Sequence, residues 1–184
     1  MKEIILNPSQ LNLIKSKLIS RDHKRLFAIA RYTGQNIRAI CNLKVLNLYN
    51  EQGVLMTHIK FSGLISGVHF FPIHEPLKNE LMIYSLENFV YEDWLFPSSV
   101  KKEKPIVPAT FDKCLKTASK KAELEHLYVS SKMIRDAFIY ELYKSGMSIN
   151  NIKEILGITS IPEILTRISP EIIDFRGALQ NIFG

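Results

Sequence analysis

The chain has 184 residues, 46% hydrophobic and 23% charged, with 24 basic side chains against 18 acidic ones for a net charge of +6. That is the composition of one soluble globular domain with a real core; its two cysteines, Cys41 and Cys114, lie far apart without C-x-x-C spacing, which excludes a disulfide framework or a standard zinc site. No apolar run reaches the roughly eighteen residues of a membrane span and the start MKEIILNPSQ carries no signal-peptide core, so an intracellular, cytoplasmic protein without a membrane partner is expected.

In chain order, Asn7-Pro8-Ser9-Gln10 is a helix start, a capping side chain followed by proline at the first helical position, and Leu11, Ile14 and Leu18 give the buried stripe. A second helix is predicted from Asp22 through Leu26, Ile29 and Ala30 to Gly34. Leu46 to Tyr49, Val54 to Phe61 and Val68 to Ile73 read as three short antiparallel strands, joined by Asn50-Glu51-Gln52-Gly53 and by the segment Ser62 to Gly67. His69, His74 and Glu75 fit no standard metal spacing, and no metal or cofactor is expected. A helix from Pro76 toward Leu86 leads into an aromatic stretch from Phe89 to Phe96, and the loop Ser98 to Pro108 should be exposed and mobile.

The helix predicted from Thr110 to Leu124 places Lys113, Lys116 and Lys120 on one stripe beside the loop lysines Lys101, Lys102 and Lys104. Lysines on a helix face are ordinarily just solvated; what favours a polyanionic partner here is clustering of these cations with Lys132 and Arg135 in one third of the chain. From Ser130 to Gly157 two short amphipathic helices are broken at Gly146, with Ile134, Phe138 and Leu142 on one buried face and Ile149, Ile152 and Leu156 on the other. Ser131 is placed to cap the first and Gly157 to end the second, while Lys132 and Arg135, three residues apart, project side by side. Two further helices are predicted after Gly157.

This arrangement resembles the tyrosine recombinase (phage integrase) family over roughly Lys24 to Arg167. Tyr-Thr-Gly-Gln-Asn at Tyr32 to Asn36, with the downstream Leu43, is similar to the family's first catalytic box, Thr-Gly-x-Arg-x-x-Glu. Lys132-Met-Ile-Arg135, then Gly146 and Leu156-Gly157, is similar to its His-x-x-Arg, Gly and Leu-Gly-His sequence, and Leu95-Phe96-Pro97 also fits the pattern. The resemblance implies an α+β fold, mainly helical, with a small three-stranded antiparallel sheet. It further implies a single catalytic-domain-like unit over residues 1–184, with no N-terminal core-binding domain before it.

The same resemblance implies that most of the chemistry is gone. Asn36 stands in the place of the first arginine, Ala39 in that of the glutamate, Lys132 in that of the histidine and Ile158 in that of the last histidine or tryptophan. The strand turn SGLISG lacks the family's lysine, and Arg167 falls where the nucleophilic tyrosine belongs; no tyrosine occurs between Tyr143 and residue 184. Arg38 lies about 200° around a helix from Asn36 and Arg31 precedes the glycine turn, so neither is expected to stand in. The seven tyrosines are read as lying in core elements or well before the nucleophile's helix.

What the resemblance leaves is a catalytically inactive DNA-binding protein whose Lys132, Arg135 and Arg167 grip phosphate, acting alone or beside an active recombinase. Arg135 engaged instead in a structural ion pair with a nearby acid such as Asp136 is the competing reading of that residue. Two other functions fit the residues. Ser148 to Ile168 also scans as a helix-turn-helix of a transcriptional regulator, though its second helix offers few base-reading side chains. A protein-interaction module on the same scaffold is the third.

Overall fold

The computed structural model of the chain describes residues 4–64, 67–83 and 93–157. Helix α1 (Pro8–Lys17) opens with a complete capping box: the Asn7 side chain accepts from the Gln10 amide and the Gln10 side chain accepts from the Asn7 amide, each at 2.9 Å. Helix α2 (Arg21–Thr33), capped by Ser20, is the axis of the domain; Leu26, Phe27, Ala28, Ile29 and Ala30 are all buried, so four other helices can pack around it. It stops at Gly34, whose φ of +59 is left-handed. A Cβ there would come within 2.2 Å of the Phe138 ring, so glycine is required by the turn and by the helix packed against it.

Helix α3 (Ile37–Cys41) and a 3-10 turn (Val45–Asn47) lead to the hairpin β1 (His58–Leu64) and β2 (Gly67–Pro72), antiparallel with Ile59 opposite Phe71 and Lys60 opposite Phe70. Ile59, Phe61 and Phe71 face the core while Phe70 looks outward. Among the described residues the sheet has two strands, not the three expected. The stretch from Leu46 to Tyr49 fails as a strand for a local reason: the Asn47 side chain accepts from the Lys44 amide at 2.7 Å and folds the backbone into a 3-10 turn, leaving a single bridge from Tyr49 to Leu55. Strand pairing begins only at His58, the Asn50 side chain having turned the chain by accepting from the Gln52 and Val54 amides.

Helix α4 (Glu75–Ile83) packs on α2 through Leu77 and Leu81. The loop before α5 (Pro108–Lys121) is better tied down than its prolines and lysines suggest. Ser98 and Lys104 are joined by a backbone hydrogen bond, Ile106 and Phe96 by another, and the Trp94 ring donates to the Glu103 carbonyl. Helix α6 (Ser131–Lys144) and α7 (Ile149–Leu156) close the described structure, with a satellite core of Ile139, Ile152 and Leu156 between them. The cap of α6 departs from expectation. The N-cap residue is Ser130, with no side-chain bond, and Asp112 from α5 accepts from the Ser131 amide at 2.8 Å instead. Among the described residues no helix is long and apolar enough to cross a membrane.

Candidate functional site

Helix α6 carries the two cations that open the site, and burial separates them. Arg135 is buried, 9% exposed, and Asp136 beside it more so, whereas the Lys132 side chain is 58% exposed. Lys132 Nζ lies 3.8 Å from Asp136 Oδ2, one turn along the helix. Lys132 thus lies within ion-pair distance of the same acid that sequence reasoning had offered to Arg135, with its side chain mostly in solvent. A guanidinium held in a mostly buried position is pre-oriented and less hydrated than a surface ammonium, which is the condition for gripping a planar or tetrahedral oxyanion.

Asn36, at the position likened to the first arginine, is exposed and accepts from the Arg38 amide at 2.9 Å, capping α3. It has become a structural residue. Arg38 is exposed on α3. Arg31 was set aside in the sequence, yet the structure buries its side chain against α6, with Nη2 3.8 Å from Glu141 Oε1 and the guanidinium 5.5 Å from the Tyr32 ring centre. Its Nε and Nη1 are buried without hydrogen-bond partners. Glu141, its partner, is about six residues, roughly 9 Å, along the α6 axis from Arg135. The sequence signal for this was the i−3 placement of Arg31 before a glycine whose missing side chain admits α6; it becomes readable only when the packing is known.

The histidines tie elements together. His69 Nε2 lies 2.9 Å from the Ile155 carbonyl, to which Gln35 Nε2 also donates at 3.4 Å, and His74 Nε2 lies 3.1 Å from the Tyr32 carbonyl. One carbonyl of α7 is thus clasped from β2 and from the turn after α2, which fixes the last turn before Gly157. Among the described residues no group of three His, Cys, Asp or Glu could hold a metal.

The lysines are all exposed, Lys101, Lys102 and Lys104 on the loop and Lys113, Lys116 and Lys120 on α5. On α5, Asp112 accepts from the Ser131 amide of α6, and at about 100° per residue Lys116 lies about 40° around the helix from Asp112, Lys120 about 80° and Lys113 about 100°. Lys113 lines a groove against α1 and the start of α2. Tyr128 is 82% exposed in the loop before α6, with a left-handed φ of +50. Ile158 and Arg167, like the strand turn at residues 65–66, lie outside the described residues.

Burial sets the titration of the groups that shift. The Cys41 thiol is pushed up to about 12, by burial first and then by the charge of Asp112. Tyr49 and Cys114 are raised by burial, with Arg25 opposing at Tyr49, and His23 is lowered by burial against the pull of Asp22.

A family model described as the phage integrase family matches residues 6–166. Among solved structures, XerA recombinase superposes with a TM-score of 0.75 at 18% identity, over 98% of this chain and 64% of that one. The Tn1549 transposon integrase in complex with transposon right end DNA gives a TM-score of 0.64 at 18% identity, over 100% and 67%. XerH site-specific recombinase bound to palindromic difH substrate gives 0.67 at 19% identity, over 98% and 53%. The chain thus spans just under two thirds of XerA and about half of XerH, and at these identities the likeness establishes the fold. No curated protein matches in sequence.

Proposed function

Because the chain belongs to the phage integrase family, its model matching residues 6–166, we propose that it is a DNA-binding relative of the tyrosine recombinases that holds the phosphodiester backbone without cutting it. The observation that carries this reading is the missing nucleophile: Arg167 occupies the place the family gives its tyrosine, and residues 144–184 contain none. Strand transfer by this family needs a hydroxyl to attack phosphorus and a set of fixed cations to neutralise the charge that builds on the phosphoryl oxygens. With Asn36, Lys132, Ile158 and Arg167 at the family's positions, the attacking group and most of those cations are replaced, which removes the reaction rather than slowing it.

Affinity for the backbone survives such losses. Arg135 keeps its place, buried on α6, and the exposed lysines of the loop and α5 supply counterion release without reading sequence. Residues 1–184 act on this reading as one catalytic-domain-like unit, supported by a main core that runs from Leu6 to Ala137. A protein of this kind would serve beside an active recombinase, occupying duplex without nicking it.

The test is duplex binding at two salt concentrations together with a nicked suicide substrate. Wild-type protein should bind with a steep negative salt slope and leave no covalent adduct. Arg135→Lys, which keeps the charge but loses the fork, should weaken binding with the slope unchanged, and Arg135→Ala should weaken it further and flatten the slope by about one unit. A 3′-phosphotyrosine adduct would refute the loss of catalysis; salt-insensitive binding, or none from folded protein, would refute the grip on DNA.

A further inference from the structure

We propose that the groove between α5 and the α1–α2 corner is a binding site for a small amphiphilic carboxylate, an anion with an apolar body of medium-chain fatty-acid size. A cavity of about 340 Å³ opens there, within the range of small-molecule sites. Its floor is apolar: Leu18 and Ala118 are buried, Cys114 is half buried, and Ile19, 82% exposed, lines the same space. An aliphatic chain lying in the groove would cover Ile19, whose side chain is otherwise in water.

The rim is cationic. Lys17 at the end of α1 and Lys113 and Lys121 on α5 line the cavity, no acidic residue does, and no acidic side chain pairs with any of the three among the described residues. The nearest carboxylate on α2, Asp22, is engaged by Arg25 at 2.7 Å. His23, whose ring lies 3.9 Å from the Cys114 sulfur, has its pKa lowered by burial, with Asp22 opposing, and Cys114 is raised by burial, so near neutral pH the charge of the groove is that of its lysines. Three ammonium groups around an apolar trough match an anionic head with a hydrocarbon tail. A duplex would engage the lysines alone and leave the apolar floor uncovered. The site does not depend on the function proposed above.

Cys114 supplies the readout. The chain has two cysteines and Cys41 is buried, so a thiol reagent applied to folded protein reports on the groove. Decanoate at about ten times its dissociation constant should slow Cys114 labelling by roughly tenfold, while decanol at the same concentration and acetate should slow it much less. Thr117→Trp, which fills the trough from an exposed position, should abolish protection, and Lys113→Ser with Lys121→Ser should weaken decanoate at least tenfold while leaving the thermal midpoint near that of the wild type. Equal protection by decanol would overturn the anion assignment, and no protection by decanoate would overturn the site. Protection by duplex DNA but not by decanoate would make the groove part of a nucleic-acid surface and overturn the proposal as well.

Discussion

Two regions three residues apart in sequence behave in opposite ways. At the joint where α2 ends, Gly34 is packed against Phe138 of α6, and Gln35 and His69 clasp the Ile155 carbonyl of α7, while the buried Thr33 bonds back to the Ile29 carbonyl. At Asn36 the chain surfaces, and the side chain does no more than cap its own short helix. Packing between distant elements fixes the backbone at the joint, whereas Asn36 is held only by solvent and its immediate neighbours.

The sharpest way to break this contrast is Gly34→Ala. A left-handed φ and a Cβ overlapping the Phe138 ring should together cost about 3 kcal/mol in urea unfolding. Phe138→Leu combined with it should recover part of that loss through coupling. If Gly34→Ala is neutral, or the double variant is simply additive, the joint is not the constraint described here.

Next in size is an effect at the buried end of α3. Cys41 has a folded-state pKa near 12 against an ordinary 9.0, so the folded protein keeps its proton where the unfolded chain loses it. Stability contributed by the neutral thiol is complete below about pH 9 and should fall by about 1.4 kcal/mol per pH unit from there toward pH 12. Cys41→Ala, compared with wild type across that interval by denaturant titration, should show a visibly shallower decline. Parallel curves would mean that the thiol is not buried in solution.

At the exposed end of the same helix, Asn36→Ala should cost about 1 kcal/mol, the worth of an N-cap. Asn36→Arg should cost about as much stability while strengthening duplex binding and, on the function proposed above, still without strand cleavage; unchanged binding would separate this position from the DNA surface. The smallest effect is expected at Lys132→Ala. A pair at 3.8 Å whose lysine is exposed, though its acid is buried, is worth at most about 1 kcal/mol, yet removing the charge should reduce the salt slope of duplex binding. A larger destabilisation would show that Lys132 and Asp136 form a structural pair rather than a solvated one.

Much of the fold was legible in the residues. Asn7-Pro8 starts its helix, and Gly34 and Gly157 end theirs in left-handed turns, as their types and spacing indicate. The failures have one cause in common, a partner remote in sequence or unexpected in geometry. Ser131 was expected to cap α6, and a carboxylate nineteen residues earlier does so. Lys113 read only as part of a cationic stripe on α5, and it also lines a groove against α1. Lys132 and Arg135 share a spacing but not an environment.

Helix starts and stops, the apolar period and the replaced chemical positions were set within the chain itself, because each depends on bonds or side-chain types spanning only a few residues. Which face of α5 meets solvent, which of two neighbouring bases is buried on α6, and whether a trough opens beside Cys114 were settled by how the helices pack. Burial is a property of what lies opposite, and nothing in a single helix states what that will be.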